Sequence, residues 1–147
     1  MTDDKRISPH EASAKLKEGY IYVDVRTVEE FEQGHPKGAL NVPLLLSSSG
    51  GMAPNPNFTK VMSATFSLDS KLIVGCKAGG RSLKAREVLV REGYTDVLDQ
   101  RAGWDGARDA FGQISEKGWS REGLPAETLS GEGQAYAELL RRAAAKG

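Results

Sequence analysis

Cysteine is almost missing from this 147-residue chain: Cys76 is the only one. A single cysteine excludes an internal disulfide and points to a reducing compartment. With two scattered histidines it makes no tetrahedral zinc set, so no metal and no other cofactor is expected. No apolar run approaches the roughly 18 residues needed to cross a bilayer. The opening stretch "MTDDKRISPH" has no signal-peptide core. No membrane partner is therefore expected, and the expected location is cytoplasmic, or organellar if a transit peptide has been removed. An excess of one charge is missing as well. Twenty basic and twenty acidic residues cancel, which argues against nucleic acid as a partner. No internal repeat or linker divides the chain.

What is present is ordinary in bulk, with 39% hydrophobic and 27% charged residues. A chain of this length buries roughly 68–70% of its unfolded surface, enough for one domain without staples. Capping boxes predict two helices, one after Ser8 with Pro9 and Glu11, the other after Thr27 with Glu30 and a stop at Gly34. Apolar, β-branched runs predict strands at 20–25, 71–76 and 95–100, with a shorter one at 38–44. Residues 47–57 read as a small, polar, proline-containing surface loop. Helices are expected at 58–66, after Ser82 up to Gly93, at 103–112 and, amphipathic, near the C-terminus at 134–146. Alternating strands and helices imply an α/β fold around a mainly parallel sheet. Such sheets bind ligands at the carboxyl ends of their strands.

Cys76 falls at such an end, in "LIVGCKAGGRSLKAREVL" (72–89). A strand-to-helix turn with Gly79 and Gly80 directs backbone N–H groups into one concavity, and the helix start adds partial positive charge. A thiolate placed there is stabilised, with Lys77 and Arg81 adding charge nearby. Two readings compete. Gly75 to Ser82 nearly spells the nucleotide loop G-x-x-x-x-G-K-[ST], with Arg81 in the lysine position. The Asp24 strand, however, precedes this loop, and little chain follows for the other parts of a nucleotide hydrolase. The other reading is a C-x4-R cradle around a reactive sulfur. A buried structural cysteine is the plain alternative, and the glycines, cations and helix start weigh against it.

Three ordered stretches, "YVDVRTVEEFEQGHPKGALNVPL" (22–44), "LIVGCKAGGRSLKAREVLVREGYTDV" (72–97) and "AGWDGARDAF" (102–111), resemble the rhodanese family, specifically its single-domain sulfurtransferases. The resemblance spans roughly residues 8 to 127, leaving 128–147 as a C-terminal helical extension. Pro36 and Ala102 depart from the family pattern. The resemblance implies a five-stranded, mostly parallel sheet flanked by helices on both faces. It also implies ping-pong transfer of a sulfane sulfur through a Cys76 persulfide, from thiosulfate to cyanide, glutathione, a thioredoxin-like protein or another thiol. Within this reading Cys76 is the catalytic nucleophile. The backbone from Lys77 through Ala78, Gly79, Gly80 and Arg81 to Ser82 holds the persulfide. Lys77 attracts the dianionic donor, Arg81 ties the loop to Asp24 or Glu30, and Asp24 and Arg26 brace it. His35 is read as structural and Trp104 as a core or pocket wall. Arsenate reductases and Cdc25-type phosphatases carry C-x5-R, one residue longer, so the four residues between Cys76 and Arg81 favour sulfur over phosphate. A persulfide relay to a partner protein and a non-catalytic docking module complete the alternatives. The chain is expected to be a monomer or a weak homodimer.

Overall fold

In the computed structural model, residues 5–146 are described. Residues 1–4 and Gly147, the last residue of the expected helical extension, lie outside them. From the N-terminus, β1 (Arg6–Ile7) leads into α1 (Pro9–Lys17), β2 (Ile21–Asp24) and α2 (Val28–Gln33). Two short strands follow, β3 (His35–Pro36) and β4 (Leu40–Asn41), then β5 (Leu45–Ser48), β6 (Gly51–Pro54) and α3 (Phe58–Thr65). The second half contains β7 (Leu72–Gly75), α4 (Gly80–Arg91), β8 (Val97–Gln100), β9 (Gly106–Arg108), β10 (Ile114–Lys117), β11 (Ala126–Glu127) and α5 (Tyr136–Lys146). Five of the strands form one sheet in the order β1-β8-β7-β2-β4, parallel throughout.

β7 is the middle strand, and Leu72, Ile73 and Val74 are all fully buried. A central parallel strand is covered on both faces, which is why its sequence is a continuous apolar run. Its side chains alternate between two cores. Leu72 and Val74 join Phe58, Val61 and Met62 of α3, Ala85 and Leu89 of α4, and Tyr136, Leu139 and Ala143 of α5. Ile73 joins Ala12 of α1, Phe31 of α2 and Trp119 on the opposite face. The chain is thus α/β, with helices on both sides of the sheet. The amphipathic C-terminal helix has its apolar stripe on its own chain, against α3. Among the described residues, no helix is long and apolar enough to cross a membrane.

Both capping boxes form: Ser8 Oγ accepts Glu11 N–H and Thr27 Oγ1 accepts Glu30 N–H, with each glutamate bonding back. Three expectations are corrected. The stretch 103–112 is not helical: β9 pairs antiparallel with β10 across a turn at Asp109–Gly112. Gly103, Gly106 and Gly112 all have positive φ (66°, 143° and 77°), which a right-handed helix does not accept. The Asp109 carboxylate accepts from Phe111 N and Gln113 N and sets the turn. Residues 47–57 are not wholly loop, because β5 and β6 form a hairpin there with Gly51 at φ 117°. The strand expected at 38–44 is only two residues long; Pro43 has no N–H to continue a ladder.

Candidate active site

β7 ends at Gly75, and the next four residues turn the chain into α4. Cys76 sits in that turn with 2% of its surface exposed. Its Sγ accepts the Gly79 N–H at 3.1 Å. Sγ also lies 3.5 Å from Ser82 Oγ, and that hydroxyl donates to Gly79 O at 3.3 Å. Gly79 adopts φ +103°, and a Cβ there would come within 2.2 Å of Arg101 O. Glycine is therefore needed both for the left-handed turn and for the close approach of Arg101. α4 starts at Gly80, and the first N–H groups of a helix lack intrahelical partners. The helix start thus brings partial positive charge beside the sulfur. Lys77, Ala78 and Gly80 are exposed, whereas Gly79 and Ser82 are buried.

Arg81 is paired with a carboxylate. Its guanidinium makes a two-pronged pair with Glu30 at 2.7 and 3.0 Å, tying the first turn of α4 to α2. Burial alone pushes the Glu30 carboxyl up, but the Arg81 hydrogen bonds and the Thr27 N–H outweigh it and bring it down to about 2. A depressed carboxylate contributes stability that is full above its ordinary value and lost as pH falls through the folded one. Glu30→Gln is therefore expected to lower the denaturant midpoint at about pH 6 and to make little difference at about pH 2. Equal losses at both pH values would show that the charge of this pair contributes nothing.

Asp24 and Arg26 are buried and bonded to each other, with Arg26 Nη2 at 2.7 Å from Asp24 Oδ2 and 2.6 Å from Gly34 O. Their link to the cysteine loop is indirect. The Arg26 guanidinium stacks 5.1 Å from the Trp104 ring, and Trp104 N donates to Cys76 O at 2.7 Å. Asp105 N adds a bond to Lys77 O at 2.9 Å. The turn at 103–105 thus clamps the backbone of the first two loop residues. His35 stays apart from the sulfur, stacked on Phe31 with ring centroids 3.7 Å apart and bonded through Nδ1 to Phe31 O.

Two site residues escaped the sequence reading. Asp99 on β8 is fully buried and accepts Arg6 Nε at 2.6 Å, while Arg6 Nη2 reaches Gly79 O at 3.1 Å. Burial pushes the Asp99 carboxyl up, against the hydrogen bonds of Ser82 and Arg6 that draw it down. Arg6, Ala78, Gly79, Gly80 and Arg101 line an open groove of about 320 Å³ beside the loop.

A parallel sheet that delivers one cysteine into a glycine turn at a helix start defines a class of α/β domain with an anion cradle beside a cysteine. The chain belongs to the rhodanese-like domain family, which matches residues 8–110. Thiosulfate sulfurtransferase 16, chloroplastic, of Arabidopsis thaliana is 41% identical over 110 residues, which cover 75% of this chain and 82% of that protein. Thiosulfate sulfurtransferase GlpE of Haemophilus influenzae is 30% identical over 124 residues, 84% of this chain and 95% of that one. The chain spans between 47% and 65% of the length of four other plant relatives. The crystal structure of Rv0390 from M. tuberculosis superposes with a TM-score of 0.70 at 28% identity, covering 84% of this chain and 97% of that one. At family level these relatives support sulfurtransferase activity.

Proposed function

We propose that this chain is a thiosulfate sulfurtransferase that works through a persulfide on Cys76. The observation that carries the reading is the Gly79 N–H on Cys76 Sγ at 3.1 Å, within a loop of four residues between Cys76 and Arg81. The Cys76 thiolate attacks the outer sulfur of thiosulfate. The sulfur–sulfur bond of the donor breaks, and sulfite leaves with the electron pair. Cyanide, glutathione, a thioredoxin-like protein or another thiol then attacks the outer sulfur of the persulfide, and Cys76 returns as thiolate. No side chain is assigned as general base: each nucleophile, thiolate or cyanide, reacts as its anion after its proton has passed to solvent. The remaining backbone N–H groups up to Ser82 take the charge of the added sulfur as it moves outward.

Lys77 is exposed at the rim and attracts the dianionic donor. Arg81 is committed to Glu30 and shapes the loop rather than contacting substrate. Asp24 and Arg26 brace it through Trp104. A four-residue loop leaves room for one added sulfur atom more readily than for a tetrahedral phosphate. We assign residues 8–127 to the catalytic domain and 128–147 to its helical extension. A single cysteine suits the reducing cytoplasm, and relatives named chloroplastic or mitochondrial extend the choice to organelles.

Initial rates measured against thiosulfate at several cyanide concentrations test the mechanism. Parallel double-reciprocal lines are expected, because sulfite leaves before the acceptor binds. Intersecting lines would contradict a persulfide intermediate, and faster turnover of an aryl phosphate than of thiosulfate would overturn the loop-length argument.

A further inference from the structure

Gly79 O accepts three hydrogen bonds: from Ser82 Oγ at 3.3 Å, from Leu83 N at 3.3 Å and from Arg6 Nη2 at 3.1 Å. The first belongs to α4's own turn and the second to its ladder, but the third comes from the other edge of the sheet. Arg6 lies before residues 8–110, the segment that the family matches. β1 and β8 pair in parallel with Arg6 opposite Asp99, so both side chains emerge on the same face. Asp99 Oδ2 holds the guanidinium by Nε at 2.6 Å, and the planar fork then delivers Nη2 to Gly79 O.

The Ser82 hydroxyl has one proton and three acceptors beside it: the Gly79 carbonyl, the Asp99 carboxylate and, once it is charged, the Cys76 sulfur. With Cys76 as a thiol, Sγ–H donates to Ser82 Oγ and the hydroxyl proton goes to Gly79 O. Once the thiol proton has passed to solvent, the sulfur has nothing to donate and needs donors. Ser82 then serves it only by turning its proton away from Gly79 O. Gly79 is buried, and its carbonyl has two lone pairs to satisfy. When Ser82 turns away, Leu83 N keeps one bond on that oxygen and Arg6 keeps the second, charge-assisted one.

Resting on the persulfide reading above, we propose that Arg6, oriented by Asp99, is a positioning residue for sulfur transfer: it keeps the Gly79 carbonyl satisfied and so frees the Ser82 hydroxyl to donate to the charged Cys76 sulfur. The residue never touches substrate. Its effect belongs to the chemical steps rather than to donor binding.

The test is a double-mutant cycle on the full chain with thiosulfate and cyanide. Arg6→Gln is expected to lower kcat about tenfold and leave the KM for thiosulfate within about twofold, the pattern of a lost interaction specific to the charged sulfur. Ser82→Ala is expected to lower kcat by a similar factor. In the Ser82→Ala background, Arg6→Gln is expected to cost less than about twofold more, because the hydroxyl it serves is gone. Circular dichroism and thermal midpoint establish that each variant folds. Should Arg6→Gln fail to fold, Arg6→Lys carries the same cycle; it retains the charge opposite Asp99 but not the fork, and a smaller loss with the same coupling is expected. Equal losses in both backgrounds, or a loss confined to KM, would overturn the proposal while leaving the Cys76 mechanism intact. Wild-type protein that transfers no sulfur at all would defeat both.

Discussion

Cys76→Ser is expected to stop sulfur transfer, with thiocyanate formation from thiosulfate and cyanide falling at least about a thousandfold. The substitution is nearly isosteric. The Gly79 N–H and the Ser82 hydroxyl bond an alkoxyl oxygen as readily as a sulfur, so the loop keeps its partners. The helix start and the Trp104 N–H on Cys76 O are backbone features that the change leaves alone. Fold and thermal midpoint should therefore stay close to wild type while the activity disappears. What is lost is the chemistry: a serine hydroxyl at neutral pH is a poor nucleophile towards divalent sulfur and forms no persulfide. The chain has no second cysteine to substitute for the first. Transfer that persisted in the serine variant would place the reaction elsewhere on the surface.

Gly103→Ala is expected to damage both fold and activity. Gly103 has φ +66°, where a side chain costs roughly 1–2 kcal/mol. Its Cβ would also stand 2.5 Å from Cys76 O and 2.6 Å from the carbonyl carbon and oxygen of Lys77. These are backbone atoms of the cysteine loop, with no flexible side chain to move aside. Either the 103–105 turn withdraws and gives up the Trp104 and Asp105 bonds, or the loop shifts and pulls the Gly79 N–H off the sulfur. A stability loss of about 2–4 kcal/mol is expected from strain plus the broken bonds. Activity in the remaining folded protein should fall at least about tenfold, since sub-ångström placement of donors governs such sites. Gly112→Ala supplies the comparison. Its φ of +77° is equally left-handed, but nothing lies within 4 Å of the added Cβ. That variant should lose only about 1–2 kcal/mol and retain its kcat. If the two alanines behaved alike, the clamp on the cysteine loop would be contradicted, leaving only backbone strain.

The difference between these two glycines also separates what the sequence discloses from what it conceals. The Cys76 loop was legible because its physics is local: a buried apolar strand, a glycine turn and a helix start are contiguous in the chain. The capping boxes at Ser8 and Thr27 were legible for the same reason, with each partner three residues away. The stretch 103–112 misled because Trp104, Ala107 and Phe111 recur at helical spacing. Three left-handed glycines and the Asp109 turn outweigh that pattern. The Arg81–Glu30 pair was half legible, since a cation in the loop calls for a carboxylate but does not say which of two. Arg6 and Asp99 were hidden altogether. They are 93 residues apart, and only the parallel register of β1 on β8 makes them neighbours. Asp24 and Arg26 were expected on the strand beside the loop; the contact of Arg26 with the Trp104 ring, and the Trp104 N–H on Cys76 O, join residues too far apart in the chain to be read from it.

Mass spectrometry of the intact protein after incubation with thiosulfate and removal of excess donor tests the central claim most directly. The account predicts a gain of one sulfur atom on Cys76, lost again when cyanide is added, and no gain in the Cys76→Ser variant. An unchanged mass in a wild-type protein that nonetheless makes thiocyanate, or an equal gain in the serine variant, would contradict it.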